Sequence, residues 1–180
     1  MIFGFFRQKR HNQIIVHRQY EALTGVARQP VFYLAMDVPD TVMGRFELLS
    51  IVMILFFRRT RSAETSGQEL AQEIVDAFFQ DIDHSIRELG IGDQGVPKRM
   101  KKLAGMFYGR LESYAAALDQ RDVQQLAAAL RRNIYPETSE DGHDMGLLAD
   151  WMMKTDEALA AMPGELLETG SLRFPVPGGA

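Results

Sequence analysis

With 180 residues, 46% of them hydrophobic and 24% charged, the chain suits one globular domain with a full core, and its length gives no reason to expect two. Cysteine is absent, which excludes disulfides, thiolate metal sites and a cysteine nucleophile. The net charge of −4 joins a basic first third (nine Lys/Arg against four Asp/Glu in residues 1–61, +5) to an acidic remainder (eleven against twenty, −9). DNA binding is therefore not expected, and one positive side facing a membrane surface or partner is the better fit.

The start, Met1-Ile-Phe-Gly-Phe-Phe-Arg-Gln-Lys-Arg-His11, has too short an apolar stretch for a signal peptide and no small-residue cleavage site. Residues 1–12 read as a basic, aromatic segment. Either it is mobile, or Phe3, Phe5 and Phe6 beside Arg7, Lys9 and Arg10 form a small membrane-surface anchor. A helical domain is expected over residues 13–163. Val16, Tyr20, Leu23 and Ala27 repeat at helical spacing until Pro30 stops the run, and an extended piece is expected over residues 31–39. Asp40 is placed to cap a second helix with the stripe Val42, Phe46, Leu49, Met53 and Phe56. Residues 48–57 are apolar except for Ser50, yet as a helix they span only about 15 Å, half of a bilayer core of roughly 30 Å. This helix is expected at the centre of the core, with Arg58, Arg59 and Arg61 complementing its dipole.

Ser66-Gly-Gln-Glu69 is a capping box opening a third helix, which Val75, Phe78, Ile82, Ile86 and Leu89 line and Gly90 ends. Pro97 then suits the first turn of a fourth helix, with Met100, Leu103, Phe107, Leu111, Tyr114 and Leu118 inward. A short fifth helix carries Val123, Leu126 and Leu130 and stops near Tyr135-Pro136. After a polar loop with Glu140 and Asp141, a sixth carries Leu148, Met152, Leu159 and Met162. Residues 164–180 turn to Gly and Pro without periodicity and read as a loose C-terminal tail. No apolar–polar alternation of β-branched residues occurs anywhere. The expectation is an all-α, single compact domain of about six helices with a central buried hydrophobic helix.

Little in the chain suggests catalysis, and no catalytic residue, metal or cofactor is expected. His11, His17, His84 and His143 are scattered. Asp81-x-x-His84 with Glu88 is one imperfect half of a di-iron site, read here as a solvated acidic face. No phosphate loop, dinucleotide fingerprint or serine elbow is present. More unusual is Pro97-Lys-Arg-Met-Lys-Lys102, four cations in first turns where the helix dipole prefers anions. Either Asp93 and neighbouring acidic helices neutralise them, or they dock anionic groups. Gly105 and Gly109 are spaced for a close helix crossing, and Tyr108 and Arg110 are expected to point away from the core stripe. Lys98, Arg99, Lys101, Lys102, Tyr108 and Arg110 are thus the candidate partner-binding residues. Arg45 and Glu47, two apart on a helix, each need an outside partner if buried. For Arg45 a carboxylate of the 81–83 segment or Asp37 is expected. The ten methionines read mainly as core filler, and otherwise as an adaptable client surface.

Two segments carry a resemblance. Asp37-Val-Pro-Asp-Thr-Val-Met-Gly-Arg-Phe-Glu-Leu48 resembles the Asp…Gly-Arg-Phe-Glu segment of the ubiquinol–cytochrome c chaperone family. So does Phe79-Gln-Asp-Ile-Asp-His-Ser-Ile-Arg-Glu-Leu-Gly-Ile-Gly-Asp-Gln-Gly-Val-Pro-Lys-Arg-Met-Lys-Lys102, continuing into Phe107-Tyr-Gly-Arg110. The positions matching family motifs are Asp37, Asp40, Gly44, Arg45, Phe46, Glu47, Gly90, Gly92, Asp93 and Pro97. The resemblance implies a non-enzymatic helical chaperone that binds newly made cytochrome b during assembly of respiratory complex III. It further implies a small helical partner subunit, the ribosome and peripheral membrane contact. A bacterial relative would work from the cytoplasm at the inner face of the membrane, a eukaryotic one on the matrix side. The alternative is a general membrane-surface or ribosome-docking adaptor without cytochrome selectivity.

Overall fold

The fold was analysed in a computed structural model that describes residues 2–61, 65–137, 142–175 and 177, with the side chains of residues 2–12, 65, 66 and 168 excepted. The expectations placed on the aromatic side chains of segment 1–12, on the Ser66 cap and on Glu140 and Asp141 lie outside the described residues. Among the described residues there are six long helices: α1 (Ile2–Ala27), α3 (Val42–Thr60), α4 (Thr65–Glu88), α5 (Val96–Gln120), α6 (Val123–Ile134) and α7 (Gly146–Ala161). Two single-turn helices complete them, α2 (Pro30–Leu34) and α8 (Gly164–Glu168). Among the described residues there is no strand.

Helix α3 is the axle of the bundle and packs against α1, α4, α5, α6 and α7. Leu48, Ile51, Val52, Met53, Ile54, Leu55 and Phe56 are all without exposure. A helix apolar on every face has to be covered on every face, and over residues 50–56 this one is. No helix among the described residues is long and apolar enough to cross a membrane. The arginines at its end do more than oppose the dipole. Arg58 reaches Asp156 of α7 through Nε and Nη2 at 2.8 and 3.2 Å and Asp119 of α5 at 2.8 Å. Arg59 donates to the Met162 carbonyl at 2.9 Å. One end of the core helix is thereby clamped to two neighbours.

Four local expectations change. Pro30 ends α1 only by opening α2, since its missing N–H and fixed φ suit a first helical turn; residues 31–34 are helical, not extended. The cap of α3 is Thr41, whose hydroxyl accepts from the Gly44 N–H at 3.1 Å, leaving Asp40 free to bind Arg45 at 2.8 Å. Leu89 is 58% exposed instead of lining the core. The segment after Pro163 is held, not loose, from Gly164 to Pro175. Leu167 and Leu172 are buried, Gln19 exchanges hydrogen bonds with both backbone groups of Leu172, and Trp151 donates to the Pro175 carbonyl.

Candidate docking groove

The two segments that carry the family resemblance meet in the interior. Glu47 of α3 and Arg110 of α5 form a two-pronged, charge-assisted pair, with Nε and Nη2 each donating to one carboxylate oxygen. Arg110 also donates to the Met106 carbonyl at 2.9 Å. Burial raises the Glu47 carboxyl above its ordinary range, while the hydrogen bonds and charge of Arg110 oppose the rise. Arg110 is buried, which removes it from the candidate partner-binding set. Below the pair, the Tyr114 hydroxyl accepts from the Asn133 side chain at 3.1 Å, fixing α6 to α5.

Asp37 locks another part of the same frame. It sits at φ 54°, a left-handed conformation that a short polar side chain tolerates. The Tyr135 hydroxyl lies 2.7 Å from its carbonyl and 3.1 Å from its Oδ1, and His143 Nδ1 lies 2.8 Å from Oδ2. The Tyr135 and His143 rings stack with centroids 3.4 Å apart. Burial, then the hydrogen bond and charge of Asp37, push the Tyr135 hydroxyl up to about 12. Gly44 is required by space, because a Cβ there would run into the Pro39 carbonyl oxygen. Gly90, at φ 78°, ends α4 as expected.

Above this frame lies a half-open groove of about 1570 Å³, walled by the end of α1, α2, the first half of α3, the second half of α4 and the start of α5. Its apolar surface includes Leu34, Val42, Met43 and Leu89, which are 85, 62, 44 and 58% exposed. Half-buried Phe46, Leu49, Ile91, Leu103 and Met106 continue that surface inward. Lys98, Arg99 and Lys102 add positive charge from the first turns of α5. Each is exposed, and among the described residues none of the three forms an ion pair.

The expected site residues therefore divide. Lys98, Arg99 and Lys102 line the groove; Lys101 and Tyr108 are exposed outside it; Arg110 is interior. Asp93 does not neutralise the cluster, since it binds Arg87 at 2.6 Å. Arg45 pairs with Asp40, not with Asp37 or the 81–83 segment, and both partners face solvent. Asp40, Arg45 and Phe46 all border the groove, whereas Gly92 is an exposed loop residue and Pro97 an exposed residue in the first turn of α5. Asp81 accepts the Tyr20 hydroxyl at 3.0 Å, and His84 lies 3.2 Å from Glu88. Among the described residues no three His, Asp or Glu side chains are placed to hold a metal ion. Gly105 and Gly109 cross no neighbouring helix, for both are exposed with open space where a Cβ would stand. Sequence reasoning missed the apolar part of the groove. Its signal was present in Val42 and Leu89, the outermost members of otherwise buried stripes.

Comparison with known proteins agrees with this frame. The crystal structure of the Cbp3 homolog from Brucella abortus superposes with a TM-score of 0.87 at 48% identity, covering 97% of each chain. The mouse and human proteins named ubiquinol-cytochrome c reductase complex assembly factor 1 are 27% and 28% identical over 163 residues, 90% of this chain. The chain spans about half the length of these two relatives, 55% and 54%. The Xenopus laevis protein named ubiquinol-cytochrome-c reductase complex assembly factor 1 is 25% identical over 94% of this chain and 86% of its own. The family described as ubiquinol-cytochrome C chaperone matches residues 34–174, which takes in most of the groove lining and both signature segments, and the chain belongs to that family.

Proposed function

We propose that the chain is a non-enzymatic assembly chaperone for ubiquinol–cytochrome c reductase, and that it holds newly made cytochrome b before that subunit enters the complex. The observation that carries this reading is the groove. Four large apolar side chains stand exposed along one concavity in a member of a family described as chaperones for this complex. Soluble chains seldom leave large apolar side chains gathered in one place without a partner to cover them. Relatives named as assembly factors of the same complex support the same role. Met43 and Met106 lie in the groove, and their unbranched side chains adapt to varied apolar partners. A holding function of this kind belongs at the inner face of the bacterial membrane, or the matrix side in a mitochondrion, by peripheral contact. A small helical partner subunit and the ribosome are the further partners that the resemblance implies.

A second reading, a membrane-surface or ribosome-docking adaptor, draws on the exposed cations Lys98, Arg99, Lys101 and Lys102, which form no ion pair among the described residues. Affinity purification of the tagged chain from membranes in mild detergent separates the two. The chaperone reading requires cytochrome b to be enriched over other membrane proteins, and Leu34→Asp with Met43→Asp to abolish that enrichment. Equal capture of many membrane proteins or of ribosomes, unchanged in the groove variant, refutes it in favour of an adaptor.

A further inference from the structure

The groove is chemically lopsided. Its exposed apolar side chains come from α2, the first turn of α3 and the end of α4; of its cations without an ion pair among the described residues, Lys98, Arg99 and Lys102 stand in the first two turns of α5 and Arg28 just past the end of α1. Four carboxylates also border it: Asp40 pairs with Arg45 on the same lining, whereas Asp81, which accepts from Tyr20, and Glu88, beside His84, keep their negative charge, as does Glu137. Among the described residues none of these carboxylates pairs with Lys98, Arg99 or Lys102. These cations also stand where the dipole of their own helix is positive, so an incoming negative group relieves two unfavourable terms at once. Helix α5 has no side-chain cap to satisfy its first N–H groups.

We infer that the groove receives an α-helical client segment that is apolar along one face and acidic at one end, with the acidic end against Lys98, Arg99 and Lys102. This deepens the chaperone reading and rests on it. The size agrees: at 10–12 Å diameter and 1.5 Å rise, a space of this volume accepts roughly ten residues of helix. A helix also meets its own backbone hydrogen-bonding needs, which a largely apolar lining cannot meet for an extended chain. The charge makes the groove directional. A segment end rich in Lys or Arg, the kind that marks the cytoplasmic flank of a membrane span, is repelled from α5, so the groove discriminates between the two flanks of an apolar client helix.

Two labelled helical peptides with the same apolar face test this, one ending in three acidic residues and the other in three basic ones. Each is titrated by fluorescence anisotropy against the full chain and against a Lys98→Glu, Arg99→Glu, Lys102→Glu variant whose helicity is checked by circular dichroism. The wild-type chain is expected to prefer the acidic-ended peptide by on the order of tenfold at low salt. The preference should shrink in high salt and invert in the charge-reversed variant. Should that variant fail to fold, the wild-type salt titration and single Lys→Gln changes carry the same comparison. Equal binding of both peptides, or no binding of either, overturns the inference. Flotation with phosphatidylglycerol vesicles, lost in the reversed variant and unaccompanied by any peptide preference, overturns it too, by assigning the cations to a lipid surface. Continued cytochrome b enrichment in the membrane purification would then leave the chaperone function standing while this docking mode falls.

Discussion

Glu47 and Arg110 stand 63 residues apart in the chain and are almost wholly withdrawn from water. Removing one partner of such a pair leaves an uncompensated charge in the interior, which costs about 3–5 kcal/mol. Arg110→Met alone should therefore lower stability by about that much in chemical denaturation. The double variant Glu47→Leu, Arg110→Met, which removes both charges, should recover most of the loss. Equal destabilisation by the single and double variants would mean that the pair acts through packing and not through charge. Half of this feature was legible in the sequence. A charged residue beside an apolar run needs a partner, and Glu47 has one. The partner was missed because the core stripe was run through Phe107 and Leu111, which left Arg110 pointing elsewhere. Its spacing, three residues after Phe107 and four before Tyr114, put it on the same face as both.

At the scale of single elements, α5 carries two glycines whose role contrasts with that of Gly44. Each glycine in a helix interior costs roughly 1 kcal/mol relative to alanine. Nothing within 4 Å of a Cβ at Gly105 or Gly109 accounts for that cost inside the chain. Gly105→Ala and Gly109→Ala should each raise stability by up to about 1 kcal/mol, read as a higher melting temperature. Gly44→Ala should lower it, because the Pro39 carbonyl is backbone and has nowhere to go. Destabilisation by the α5 substitutions would show that open space there had been misjudged. The six long helices were legible because each is long enough for its apolar period to repeat. Helices α2 and α8 were not, since five residues make a single turn and show no period. The groove escaped for a related reason: a stripe tells which face is apolar, but not where the neighbouring helix stops covering it. Leu89 continues the α4 stripe past the end of its helix and finds no cover there.

Across the whole molecule, sequence-distant parts of the chain close on each other. Gln19 of α1 donates to the Leu172 carbonyl at 3.2 Å and accepts the Leu172 N–H at 3.1 Å, and neither residue is exposed. Between them, Gly170 takes φ 62° and lies against the backbone of Ile15, where a Cβ would crowd the Ile15 carbonyl. Helix α8 rests on α4, and Leu167 and Leu172 are 1% exposed. A Gly- and Pro-rich stretch without periodicity suggested a tail because its fixing contacts are made with residues some 150 positions away, which no local pattern records. Full burial of a leucine stabilises by about 1.5–3 kcal/mol, so the two leucines alone approach the lower end of a domain's net stability of about 5–15 kcal/mol. Ending the chain after Pro163 should therefore lower the unfolding midpoint sharply or abolish cooperative folding. The milder substitution Gln19→Ala separates the clasp from the burial. It leaves a buried N–H and a buried carbonyl without partners, at about 2–4 kcal/mol. Gln19→Glu should restore the acceptor for the Leu172 N–H but set a carboxylate against the Leu172 carbonyl, and so remain destabilised. An unchanged midpoint in both the truncated chain and Gln19→Ala would show that the segment is a tail after all, packed without contributing to the fold.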